Sequence, residues 1–164
     1  MSVDARAFRQ TGGQFVTGVT VITTEVDGVT RAMTANSFTS LSLDPPLVLF
    51  CVGKTAHMGQ LIGTASRFSV NILQENQREL STYFAGGWKE PSPPAFSFVD
   101  WEGVPLLEGS LAALGCSVYA IHEGGDHWIV VGEVQSLYRS EPTCPPLVFC
   151  RGRYARLGEP AEIA

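Results

Sequence analysis

At 164 residues, 45% hydrophobic and 16% charged, the chain has the length and composition of one folded domain, expected over residues 1–164, with disorder excluded except at the ends. A net charge of −5 without any cluster of Lys or Arg removes the counterion release on which nucleic-acid binders depend, and it disfavours an anionic membrane surface. No apolar run approaches the roughly 20 residues of a membrane span and the first residues lack the apolar core of a secretory signal, so no membrane, a cytoplasmic location and a small-molecule or protein partner are expected.

In chain order, residues 4–15 suit a short acid-capped helix that breaks near Gly12-Gly13, and the β-branched run 18–24 begins a strand. A turn at Asp27-Gly28 makes residues 29–34 its hairpin partner. Residues 47–52 form a nearly continuous apolar run, as in a strand covered on both faces. Residues 57–65 place Met58, Leu61, Ile62 and Ala65 at helical spacing, a stripe that reads as core packing. A strand over 68–73 and a second helix over 75–85, with Leu80 and Phe84 on one side, follow. The prolines and tryptophans between Gly86 and Pro105 predict a long ordered loop. The two longest strands are expected over 111–122 and 128–138, joined through Glu123-Gly124-Gly125-Asp126, and residues 147–150 close the chain with one more. Without strand–helix alternation, this order predicts a mainly β fold, an antiparallel barrel with peripheral helices. No GxGxxG follows a strand and no GxxxxGK[ST] is present, which disfavours a Rossmann domain and a P-loop.

The segment MTANSFTSLSLDPPLV, residues 33–48, carries the most chemical information. Thr34, Asn36, Ser37, Thr39, Ser40 and Ser42 supply donors and acceptors, Ala35 allows close approach to the backbone, and Pro45-Pro46 fixes the entry to the apolar run. The segment suits an anion and a flat polar ring, although a Ser/Thr-rich edge strand and turn has the same composition. Cys51, Cys116, Cys144 and Cys150 contain no CxxC pair, and His57, His122 and His127 have no zinc-like spacing, so no metal is expected. The cysteines read as small buried hydrophobes or stray thiols, and Cys51, beside the ligand segment, as packing rather than redox chemistry.

Five blocks in order, GVTVITT, MTANSFTSLSLDPPLVLFCV, FSVNIL, GDHWIVVGEV and LVFCRGRYARL, resemble the flavin reductase-like family, whose fold is the FMN-binding split barrel. The resemblance spans nearly the whole chain. It implies an antiparallel split β-barrel with peripheral helices and a homodimeric NAD(P)H:flavin oxidoreductase. Such an enzyme uses NADH or NADPH to reduce FMN (or FAD) and supplies the product to a separate flavin-dependent monooxygenase.

On that pattern Thr34, Ala35, Asn36 and Ser37 line the isoalloxazine edge, with Ser40 further along the same ledge. Hydride transfer between two stacked rings needs orientation and little acid–base help, so the absence of a catalytic dyad is expected. The segment Cys51, Val52, Gly53, Lys54, Thr55, Ala56, His57, Met58 leaves a strand, turns and starts a helix. In this reading its N–H groups, the Lys54 ammonium and the Thr55 hydroxyl hold the flavin phosphate. The same residues also read as a solvated Lys54, a plain N-cap at Thr55, and a His57 that covers the helix end. His127 is implied as the catalytic residue, ordering the dinucleotide and protonating reduced flavin, with Asp126 shaping the turn. Phe84, Ala85, Gly86 and Lys89 are implied near the dimethylbenzene side or the phosphate tail, contributed by the other subunit. Arg151 and Tyr154 are implied at the dinucleotide. Two other readings stay open from sequence: an FMN-retaining split-barrel oxidase, and a non-enzymatic flavin carrier.

Overall fold

The computed structural model describes residues 3–141 and 144–158, so the outermost ends of the expected 1–164 domain lie outside the described residues. Asp4 caps the first helix, α1 (Ala5–Gly12), by accepting a 2.7 Å hydrogen bond from the Ala7 N–H, and Gly13 ends it. The first expected strand is divided in two: β1 (Thr17–Gly18) pairs elsewhere, and β2 (Thr20–Val26) carries five consecutive buried residues. The Asp27-Gly28 turn, with both residues at positive φ, returns the chain as β3 (Val29–Ala35). Then β4 (Thr39–Leu43) and β5 (Pro46–Gly53) form a second hairpin, so the hydroxyl-rich segment is partly an edge strand.

Helix α2 (His57–Leu61) is shorter than the expected 57–65, because the Thr64 hydroxyl takes the Leu61 carbonyl at 2.7 Å and the chain turns at Gly63. Met58, Ile62 and Ala65 nevertheless reach the core as the spacing predicts. After β6 (Arg67–Ile72), a 3-10 turn at Glu75–Gln77 leads into α3 (Arg78–Phe84), and Gln77 accepts the Gln74 N–H at 2.9 Å to cap the start.

Residues 86–105 are not one long loop. Their C-terminal part belongs to a hairpin of β7 (Phe98–Trp101) and β8 (Val104–Leu107), whose turn residues Glu102 and Gly103 both take positive φ, 52° and 74°. The prolines obscured it: Pro105 sits inside a strand, where its carbonyl accepts the buried hydroxyls of Thr23 and Ser69 at 2.5 and 2.6 Å. Asn71, fully buried, donates to the Val21 carbonyl and accepts the Leu107 N–H, both at 2.9 Å. These bonds satisfy the buried Thr23, Ser69 and Asn71 side chains and fix β8 against the sheet.

The long strands are β9 (Ala112–Gly124), which begins one residue later and ends two later than expected, and β10 (His127–Arg139), which is longer at both ends and also pairs with β5 as far as Gly53. The chain closes with β11 (Val148–Cys150) and β12 (Arg153–Ala155), which with β1 make a small sheet. The main sheet runs β3-β2-β6-β9-β10-β5-β4, antiparallel at every pairing, and curls until its two ends stand either side of the segment joining β3 to β4. Inside the curl lies one core, where Phe50 and Phe68 meet edge-on at 5.2 Å among Ile22, Met58, Ile62 and Val130. Val19, Val21, Leu73, Leu80, Leu107 and Leu147 form a second core under α3. Among the described residues no helix is long and apolar enough to cross a membrane.

Candidate functional site

An open groove of about 920 Å³ runs along the free edge of β3, between the start of α2 and the end of α3. It brings together the expected site residues Thr34, His57, Met58, Phe84, Ala85 and Gly86. Residues on both faces of β3 reach it because a strand alternates its side chains. Ala32 packs on the core under α3, whereas Met33 and Ala35 pack on the barrel core.

The hydroxyls of the expected ledge are partly committed to the fold. Thr34 donates to the Ser81 carbonyl of α3 at 2.7 Å, and Ser37 both accepts the Cys51 N–H at 2.9 Å and donates to the Cys51 carbonyl at 3.1 Å. Ala35 is buried, while Asn36, Ser37 and Ser40 are exposed. These bonds tie the connection between β3 and β4 to α3 on one side and β5 on the other, which gives a ledge of fixed shape.

The turn after β5 forms a second corner beside the groove. The Lys54 N–H donates to the Asp126 carbonyl at 2.9 Å, and the Ala56 N–H donates to the Gly53 carbonyl at 3.0 Å. The Lys54 ammonium stands 3.5 Å from Glu123 and 4.6 Å from the centre of the Trp128 ring. Thr55 is exposed and is not the N-cap of α2; Ala56 holds that position, without a side-chain cap. Cys51 is half-buried and Val52 is in the core. Gly59 lies so close to the Gly53 carbonyl that a Cβ there would overlap it.

His127 is exposed at the start of β10, in register with Gly53, and its Nδ1 lies 2.7 Å from the Asp126 carboxylate. That hydrogen bond first, and then the charge of the imidazole, hold the Asp126 carboxyl below its ordinary value. Asp126 therefore orients the imidazole as well as shaping the turn. Burial pushes the Cys116 thiol up to about 12, so it stays protonated and inert. Cys144, by contrast, is exposed.

Of the other expected residues, those of the ledge beyond Thr34, the 51–55 turn and His127 flank the groove without lining it, and Arg151, Tyr154 and Lys89 lie on other elements. Arg151 hydrogen-bonds Gln14 at 2.8 Å, against the N-terminal helix, and Tyr154 donates to the Ser81 hydroxyl at 2.9 Å from beneath α3. Lys89 is exposed and does not line the groove. Conversely, sequence reasoning passed over Arg31, Tyr83, Phe96 and Phe98, which do line it. The aromatic residues belong to a cluster in which Phe84 and Phe96 lie 5.0 Å apart and Phe96 and Phe98 5.4 Å apart. Their sequence signal was present in the spacing of Phe84, Phe96 and Phe98, but it fell across the stretch read as loop.

A family model described as the flavin reductase like domain matches residues 12–158. The chain belongs to the flavin reductase-like family. It is 46% identical over 157 residues to the flavin-dependent monooxygenase reductase subunit HsaB of Mycobacterium tuberculosis, covering 93% of this chain and 82% of that protein. Among solved structures, this flavin reductase-like chain is similar to the flavin reductase PheA2, with a TM-score of 0.90 and 40% identity over 96% of this chain and all (100%) of that one. It is also similar to the NADH:FAD oxidoreductase SgcE6 of Streptomyces globisporus in complex with NAD and FAD fragments. That match has a TM-score of 0.87 and 39% identity, and it covers 99% of each chain. The mainly β split barrel with peripheral helices is thus the fold of the family.

Proposed function

We propose that the groove along β3 is the flavin site of an NAD(P)H:flavin oxidoreductase, and that the observation carrying this reading is the meeting of the Thr34 ledge, the α2 start and the aromatic end of α3 at one edge. The groove fits such a ligand. It offers aromatic and aliphatic surface for a flat ring, polar backbone along one rim, and in Arg31 a cation whose Nε is buried without a hydrogen-bond partner.

The enzyme takes hydride from NADH or NADPH and reduces FMN or FAD. When bound, the flavin supplies the hydride-accepting chemistry. The chain's own residues supply orientation and shielding. The ledge, braced by Thr34 and Ser37, sets the plane in which the ring edge lies, and the Phe84 and Phe96 rings exclude water from one side. His127, held by Asp126, is the catalytic residue of this reading; its imidazole is aimed by a carboxylate and exposed to an incoming dinucleotide. Thr55, exposed beside the groove, offers its hydroxyl to a bound ligand, whereas the Lys54 and Ala56 N–H groups are held by the Asp126 and Gly53 carbonyls and the Lys54 ammonium by Glu123 and Trp128.

The reduced flavin passes to a separate monooxygenase, a reading supported by the likeness to HsaB, the reductase subunit of a flavin-dependent monooxygenase. We also assign a homodimer, because the edge strand β4 leaves Leu41 half-exposed and Leu43 exposed to 95%. Purified protein is expected to oxidise NADH or NADPH only when FMN, FAD or riboflavin is added. No flavin-dependent oxidation with either nucleotide removes the reading, and firmly bound flavin without nucleotide turnover would point to a carrier.

A further inference from the structure

We propose that Arg31 is the residue by which this enzyme selects phosphorylated flavins over riboflavin, through a guanidinium–phosphate contact in the groove along β3. The inference rests on the flavin site assigned above. Arg31 stands on β3 opposite Thr24, on the face that carries Met33 and Ala35, and lines the groove. Its Nε is buried, yet it finds no hydrogen-bond acceptor, and the side chain forms no ion pair among the described residues. It is the charged group among the three described side-chain atoms left in that condition.

An unpaired buried donor on a cation is costly, and natural proteins leave few of them. A phosphate removes that cost, because Nε and a terminal nitrogen form the planar fork that two phosphate oxygens accept together. No existing bond has to break before the guanidinium turns to such a ligand. Placement agrees with the assignment. Arg31 shares its face of β3 with Met33 and Ala35, where the ledge begins, so the arm of a flavin whose ring rests there runs back along the strand towards the guanidinium. The alternative cation is already engaged, since Lys54 is shared between Glu123 and the face of Trp128.

The test is a fluorescence titration of wild type, Arg31→Gln, Arg31→Lys and Lys54→Gln with FMN, FAD and riboflavin, without dinucleotide. Thermal melting of each variant checks its fold. Arg31→Gln is expected to weaken FMN and FAD about tenfold or more while riboflavin affinity holds, as for loss of a charged hydrogen-bond donor. Arg31→Lys should recover part of the loss. Equal affinities for all three flavins in Arg31→Gln and wild type would overturn the proposal, as would an equal weakening of all three. A phosphate-selective loss in Lys54→Gln but not in Arg31→Gln would overturn it too. So would flavin affinities unchanged in Arg31→Gln beside a raised KM for NADH or NADPH in parallel steady-state assays, which would give the cation to the dinucleotide. In each of these cases wild-type flavin-dependent turnover leaves the reductase reading standing; only its absence removes that reading.

Discussion

His127 and Asp126 act as one unit, because an exposed imidazole has no preferred direction unless a neighbour supplies it. The carboxylate 2.7 Å from Nδ1 leaves Nε2 facing outward, over Gly53. His127→Ala is expected to lower kcat/KM for the dinucleotide roughly tenfold, the scale of a lost charged hydrogen bond, and to leave flavin affinity nearly unchanged. Asp126→Asn should give a smaller loss, and the double variant should match His127→Ala alone, since the aspartate works through the histidine. Additive losses in steady-state kinetics would show that the two residues act separately. The pH dependence follows from the lowered Asp126 carboxyl. Its contribution to the turn is present above the ordinary carboxylate range and is lost as pH falls through the lowered folded value.

The turn between β5 and α2 is the element on which the corner beside the groove depends, and its geometry requires glycine at 59. A Cβ at that position would overlap the Gly53 carbonyl, a backbone atom that cannot swing aside, and would push residues 53–56 away from Asp126. Gly59→Ala is expected to cost about 1–3 kcal/mol, as overpacking does, and to lower Tm by roughly 3–10 °C for a chain of this size. Flavin affinity should fall with it. Gly63→Ala serves as the control, since nothing lies within 4 Å of its Cβ position; it should be neutral or slightly stabilising. If both variants melt like wild type in calorimetry, the close approach of α2 to β5 is not a constraint.

At the scale of the molecule, the main sheet leaves β3 and β4 as its two free edges, with the ledge strung between them. One edge opens into the groove, and the other exposes Leu41 and Leu43. A second copy covering β4 would bury those side chains and satisfy an edge otherwise prone to indiscriminate pairing. Light scattering after gel filtration is expected to give the mass of a dimer, and Leu41→Asp with Leu43→Asp is expected to give a monomer with weakened flavin binding. A double variant that stays dimeric with full affinity would place the interface elsewhere.

The local chemistry of the chain was sufficient for much of this. Hydrophobic alternation and turn residues disclosed β2, β3, β5, β6, β9 and β10, because period and turn type are properties of neighbours in sequence. The ledge and the His127 turn were legible for the same reason, as hydroxyls and glycines adjacent in the chain. The β7–β8 hairpin was hidden because Pro105 interrupts the strand pattern, while the Thr23 and Ser69 hydroxyls that hold its carbonyl come from residues distant in sequence. The use of Thr34 and Ser37 as braces, the engagement of Lys54 by Glu123 and Trp128, and the placing of Arg151 on the N-terminal helix were likewise decided by long-range contacts. Arg31 became a site residue only when folding closed α2 and α3 about its strand and left its guanidinium without a partner. Sequence sets what a side chain can donate or accept, and tertiary packing determines which of those capacities are already spent.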